Sequence, residues 1–225
     1  MSPVAAALQQ ITSAEYWTGS TGFGARVLEH MELTLFTMMF TLAIGLPVGI
    51  WLGVRAHRTG RTGTSIVAAL GALRALPTLG LVTWLTLIIP LGISMPTIPA
   101  VIVLVILAVP PVVAGAYSGI AAIEHSVVDA AVALGHSPWQ SLRAVHLPLA
   151  LPTIIGGIRS ATVQVLATAT VAAYIGLGGL GRPLIDGLAL RDYPQMLAGA
   201  ILVIALAWIV DMLLAVVQRA ARPRT

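Results

Sequence analysis

The sequence predicts an all-α, polytopic membrane protein of about five transmembrane helices, with its N-terminus outside and its C-terminus in the cytoplasm. Three observations lead there. Of the 225 residues, 58% are hydrophobic and 9% charged; a soluble domain carries roughly 25% charged residues, so this chain cannot clothe a globular surface. The apolar residues collect into runs long enough for a helix to cross the hydrocarbon core, which takes roughly 20 residues. The basic residues, every one of them Arg, fall largely between those runs with a one-sided bias. The net charge of +4 therefore reads as the Arg excess of cytoplasmic loops, not as a nucleic-acid surface. With no cysteine, a disulfide framework and a thiolate metal site are excluded.

Residues 1–30 read as an N-terminal external or interfacial arm, because MSPVAAALQQITSAEYW lacks a basic n-region and its apolar run is short for a signal peptide. The transmembrane domain occupies 31–218, and a basic cytoplasmic tail follows at 219–225. Its five apolar runs are 33–54, with Pro47 inside; 64–90, marked by Arg74 and Pro77; 97–120, with Pro110 and Pro111; 151–176; and 195–217. Prolines are tolerated in such spans because neighbouring helices and local adjustments satisfy the freed carbonyls. The loop after the first run holds Arg55, Arg58 and Arg61, the connection after the third holds Arg143, and the tail holds Arg219, Arg222 and Arg224. Five crossings put all of these on the cytoplasmic side. The opposite side has Arg26 offset by Glu15, Glu29 and Glu32, the uncharged link LGISMP, and the link 177–194 with Arg182 and Arg191 offset by Asp186 and Asp192. No internal repeat and no inverted pair of broken helices is visible, which disfavours repeat-built carriers.

The longest cytoplasmic connection, about 121–150, contains the punctuated stretch VDAAVALGHSPWQSLRAVHLPLALPTI. Asp129 to Leu134 reads as a helix end, with Ala130 and Ala131 as strong helix formers. Gly135 suits a left-handed position after that end. Ser137 is a preferred N-cap, Pro138 is favoured at the first helical position, and Gln140 completes a capping box. A second short helix is expected from Pro138 to about Val145, after which Pro148 and Pro152 re-aim the chain into the fourth span. A short helix that ends one span and starts another is a mechanical handle for a partner.

These residues resemble the EAA motif of ABC-importer permeases: Glu-Ala-Ala, three residues, Gly, nine residues, Ile, one residue, Leu-Pro. Here Asp129-Ala130-Ala131, Gly135, Val145 and Leu147-Pro148 keep every spacing, with Asp for Glu and Val for Ile. The resemblance implies a type I importer fold in a prokaryotic cell membrane, with the segment docking into a groove of a cytoplasmic ATPase. It implies a second permease chain, identical or sister, and an external substrate-binding protein. ATP and Mg would sit on the ATPase, with none bound by this chain and no catalytic residue in it. The stretches PLGISMPTIPAVIVLVILAVPPVVAGAYSGI and GIRSATVQVLATATVAAYIGLGGLGRPLIDGL resemble permeases for osmoprotectants such as glycine betaine, choline or carnitine. Arg74-Ala-Leu-Pro77 is closer to the methionine-type branch, since Gln is expected at 74 in the osmoprotectant one. An ion-coupled secondary carrier is the alternative of another class, but only Asp211 offers an intramembrane carboxylate.

Arg74, Arg159 and Asp211 lie within spans, where charges usually face the bundle interior or a cavity. Asp211 is expected to pair with Arg159 or Arg74, the other reading being a pathway lining. Thr168 and Thr170 either bond their own backbone or line the pathway. His125, His136 and His146 read as solvated loop residues without metal-ligand spacing. Trp139 is an anchor for a protein partner or for the lipid interface. The run Gly176 to Arg182 is not followed by Lys-Ser/Thr opening a helix, so it reads as a tight turn, not a phosphate loop.

Overall fold

The computed structural model describes residues 2–59 and 63–222; Arg61 and Arg224 of the expected cytoplasmic clusters, and the tail beyond Arg222, lie outside the described residues. The described residues form helices α1 (Pro3–Thr12), α2 (Phe23–Thr59), α3 (Thr64–Ala72), α4 (Thr78–Ile88), α5 (Thr97–Ala121), α6 (His125–Ala133), α7 (Pro138–Ser141), α8 (Leu147–Thr168), α9 (Gly181–Leu190) and α10 (Tyr193–Ala220). Four continuous helical stretches are long and apolar enough to cross a membrane: Phe23–Thr59, Thr97–Ala121, Pro138–Ile175 and Tyr193–Ala220. A fifth span results if Thr64–Ala75 and Thr78–Ile88 are counted as one.

Three expectations change. The second run is not one straight helix but two, bent by 82°. Arg74 falls in a 3-10 turn at the break, and Pro77 is the N-cap of α4. The residue before a proline is pushed out of the helical region, and that ends the first half. The arm and the first span are not separated at residue 30. Helix α2 begins at Phe23, because Arg26, Glu29 and Glu32 extend a helix although hydropathy does not register them. The second short helix does not reach Val145: α7 ends at Ser141, and the chain is already re-aimed before Pro148. A π turn at Leu142–His146 joins α7 to α8, and the Leu147 N–H donates to the Leu142 carbonyl. The extra residue in that turn makes room for the Pro148 ring, which in a regular helix collides with the carbonyl four residues back.

The chain divides into two compact units. The first gathers Met1–Met39, Leu76–Leu107 and Thr162–Val210. Its core sets Ala7 and Phe23 against Leu180, Ala198, Leu202 and Val203, so the N-terminal arm is packed rather than free. Trp17 donates its indole N–H to the Ile11 carbonyl at 2.7 Å and packs edge-on to Phe23, which closes the arm on itself. The second unit gathers Phe40–Ala75, Ala108–Ala161 and Asp211–Thr225. Here Gly45, Gly49 and Gly53 of α2 meet Val112, Ala116 and Ile120 of α5, one helical turn apart each time. A Cβ on Gly49 would lie 2.6 Å from that of Ala116. Close backbone approach through small residues is how membrane helices gain packing when no hydrophobic force separates them from lipid.

Candidate functional site

The punctuated segment folds as a helical hairpin, and its turn is specified locally. Helix α6 ends in a Schellman arrangement: the His136 N–H donates to the Ala131 carbonyl at 3.1 Å and the Gly135 N–H to that of Val132 at 2.9 Å. Gly135 takes φ +84°, which a side chain would resist. The Ser137 hydroxyl accepts from the Gln140 N–H at 3.3 Å, while the Gln140 amide oxygen accepts from the Ser137 N–H at 2.8 Å. That reciprocal box starts α7 with Pro138 at its first position. Large apolar side chains stand exposed on the hairpin among polar ones: Leu134 is 81% and Trp139 64% exposed. The Arg143 guanidinium stands over the Trp139 ring, 5.7 Å from its centroid. Asp129 and Ala130 are exposed and Ala131 is buried. Leu147 packs with Ala150 and Ile154 against Ala116 and Ile120 of α5, which ties the hairpin to the second unit's core. Val145 is half-buried and Pro148 exposed.

Behind the hairpin lies a cavity of about 600 Å³. His57, from the end of α2, meets His125 at 4.1 Å and His146 at 5.6 Å between ring centroids. Two of these rings are tied down. His57 donates from Nε2 to the Ile123 carbonyl at 3.0 Å, and His146 donates from Nδ1 to the Ser141 carbonyl at 3.0 Å. His146 is only 6% exposed, so it is a structural residue of the π turn and not a solvated loop histidine. His57 had no signal in the sequence, because its partners lie on other helices. His125, His136 and Asp129 also line this cavity. Among the described residues, no group of three His, Asp or Glu is placed to hold a metal ion.

The intramembrane charges sort themselves into a pair and a remainder. Arg159 on α8 and Asp211 on α10 form a two-pronged ion pair: Nη2 donates to Oδ2 at 2.6 Å and Nε to Oδ1. Gln218, about two turns further along the same face of α10, accepts from Arg159 Nη1 at 3.4 Å and donates to the Pro152 carbonyl at 2.9 Å. Both side chains of the pair are partly exposed, so its value lies in joining α8 to α10 more than in buried Coulomb energy. Arg74 takes no part; it is exposed and has no acidic partner among the described residues. Thr168 donates back to the Gln164 carbonyl at 2.7 Å and Thr170 to that of Ala167 at 2.8 Å.

In the first unit, the glycine run after α8 is a turn held by α2. Gly176 and Gly179 have φ +92° and +83°. Glu29 accepts from the Gly179 N–H at 2.7 Å and from Arg26 Nη1 at 2.9 Å. His30, 1% exposed, donates to the Leu166 carbonyl at 2.9 Å. Sequence reasoning saw Glu29 only as an offset to Arg26.

Residues 45–225 match the family described as binding-protein-dependent transport system inner membrane component. The chain is 31% identical over 201 residues to the glycine betaine/carnitine/choline transport system permease protein OpuCB of Bacillus subtilis, covering 89% of this chain and 91% of that one. It is 33% identical to the osmoprotectant import permease protein OsmY of Salmonella typhimurium, over 87% of this chain and 80% of that one. A chain of the MetNI methionine ABC transporter in an inward-facing conformation shares the fold, with a TM-score of 0.74 at 22% identity over 89% of this chain and 96% of that chain. The chain therefore belongs to the family of binding-protein-dependent transport system inner membrane components, the multi-pass permease subunits of ABC importers.

Proposed function

We propose that this chain is the transport subunit of an ATP-driven importer of osmoprotectants, compounds such as glycine betaine, choline or carnitine. The hairpin carries the ATP-driven part of the reading: a capped, exposed turn that runs without interruption into a membrane-spanning helix. The substrate class is supported by the named substrates of relatives that match over nearly their full length.

Asp129, Ala130, Ala131, Gly135, Ser137, Pro138, Trp139, Val145, Leu147 and Pro148 form the coupling loop in this reading. Trp139, stiffened by Arg143, is the anchor in a groove of a cytoplasmic ATPase subunit. ATP and Mg act there, since no Walker sequence occurs in this chain. The N-terminus lies outside and the C-terminus inside. Because α7 passes into α8 through a π turn, a push on Trp139 is delivered directly to α8. The ATPase must grip the hairpin differently in two states for this to bias transport, since equal contacts shift nothing. Two permease chains line the pathway, and an external binding protein supplies the substrate. Quaternary amines are recognised by aromatic cages; with 5% aromatic residues here, that recognition belongs to the binding protein.

The test is ATP-dependent uptake into vesicles carrying the permease, its ATPase and its binding protein, with labelled glycine betaine, choline and methionine. Uptake of a quaternary amine, lost in Gly135→Pro, is the expected result, because proline cannot adopt φ +84°. Uptake of methionine would keep the class and reject the substrate. Uptake independent of ATP would reject the coupling loop.

A further inference from the structure

Within the second unit, helices α3, α5, α8 and α10 line an open cavity of about 700 Å³, on which Arg74 and Arg222 are both exposed. Its wall carries two guanidinium groups, Arg74 and Arg222, and no carboxylate. Neither Arg has an ion-pair partner among the described residues. The nearest intramembrane acid in this unit, Asp211, is already engaged by Arg159 and does not line the cavity. The polar wall is set to donate. Thr153 and Ser160, seven residues apart on one face of α8, line it as exposed hydroxyls. Ser118 opposite, by contrast, spends its hydroxyl on the Ala114 carbonyl at 2.7 Å. The Gln218 amide links this wall to the Arg159–Asp211 pair. Close approach of α5 and α8 closes one side, since a Cβ on Gly115 would lie 2.7 Å from the Gly157 Cα.

A cavity with two uncompensated cations concentrates anions and repels a bare quaternary ammonium. We propose that it is an oxyanion subsite that takes the carboxylate of a zwitterionic substrate, with Arg74 and Arg222 as its charges and Thr153 and Ser160 as neutral donors. The substrate part rests on the osmoprotectant reading above. It narrows that reading to quaternary amines that carry a carboxylate, such as a betaine, and sets choline apart as a poor occupant. A guanidinium is suited to the task because it meets a carboxylate with parallel N–H groups. A lipid phosphate shares this oxyanion chemistry, so the test separates the two sources.

The chain has no cysteine, so Ser160→Cys gives this subunit a single thiol, in the wall, and labelling is read on this subunit alone. The complete importer carrying it, in nanodiscs of phosphatidylcholine, is treated with an anionic sulfonate thiosulfonate reagent or its trimethylammonium counterpart. Each rate is divided by that reagent's rate with a free thiol. The anionic reagent should win by roughly tenfold or more, and Arg74→Gln with Arg222→Gln should erase the preference. Glycine betaine should slow labelling and choline should not. In uptake, Arg74→Gln should lower betaine transport by about tenfold to a hundredfold, with Arg74→Lys partly restoring it. No charge preference, or one that survives loss of both Arg residues, overturns the subsite. Protection by phosphatidylglycerol nanodiscs and not by betaine overturns the substrate assignment. Failure of the unmodified importer to move either amine would reject the osmoprotectant reading, while the labelling ratio still decides whether the cavity is an anion site. Thr153→Cys repeats the labelling if Ser160→Cys does not assemble.

Discussion

The turns at Gly135 and Gly179 both use glycine at positive φ to reverse the chain, and they are built in opposite ways. At Gly135, φ +84°, a Cβ would meet nothing within 4 Å. At Gly179, φ +83°, a Cβ would lie 3.1 Å from His30 Nδ1, and at Gly178 it would meet the Glu29 carboxylate. The first turn is held only by bonds within its own few residues. The second is held by a side chain 150 residues away in sequence. A turn stabilised from within keeps its outer surface free for another molecule. A turn pinned from outside joins parts of one fold. In the proposed reading, the same residue type and the same backbone angle therefore serve a handle in one place and an anchor in the other.

The sharpest way to break the comparison is Gly181→Ala, just beyond the pinned turn. Its Cβ would collide with the Thr170 carbonyl oxygen, a backbone atom that has no alternative rotamer. Overpacking of this kind costs about 3 kcal/mol or more when the backbone must move. We expect little folded protein, read as loss of the monodisperse peak and a lower melting temperature in detergent. Glu29→Gln comes next. It keeps the shape but removes the charge from the bond to the Gly179 N–H, and Glu29 is partly exposed. A loss of about 1 kcal/mol is expected, visible as faster hydrogen exchange at Gly179 and unchanged exchange at Gly135. Equal changes at both turns would mean that they are not independent.

Gly135→Ala should cost about 1 kcal/mol, the penalty of a left-handed side chain with no clash added. Thermal stability should fall only slightly, because the hairpin contributes little to the second unit's core. Coupling should suffer more: ATP turnover by the associated ATPase should continue while uptake per ATP drops. If uptake and stability fall in proportion, the hairpin is a fold element and not a handle.

What was legible in the sequence follows the same division. The caps of the hairpin are legible in the sequence, since Gly135, Ser137, Pro138 and Gln140 depend on three or four neighbours, whereas the end of α7 at Ser141 and the burial of His146 are not. The ion pair of Asp211 was legible as a choice between Arg159 and Arg74, because a charge inside a span must find a partner, but only packing decides which. The bend of the second run was marked by Pro77 yet read as a straight span, because composition counts residues and not their direction. The π turn left no signature beyond Pro148. His57, Glu29 and Gln218 were missed for one reason: each acts on a helix distant in sequence, and nothing local records that.

The smallest effect on the fold is expected from Ser137→Ala. It removes one side of the capping box, worth about 1 kcal/mol of local helix stability, from a helix of four residues. Gln140 still accepts from the residue-137 N–H, and Pro138 still fixes the first dihedral angle. Global melting should therefore be unchanged within error, while α7 frays and Trp139 loses its fixed presentation. The measurement is uptake per ATP hydrolysed, compared with Trp139→Ala. If the hairpin is a rigid handle, Ser137→Ala should lower coupling in the same direction as Trp139→Ala but by less, because a frayed anchor still binds part of the time. Combining the two should then add almost nothing to Trp139→Ala alone, since a cap that serves only to present Trp139 has no work left once the ring is gone. Additive losses would instead give the cap a contact of its own with the ATPase, and the handle would be the whole turn and not its single aromatic side chain.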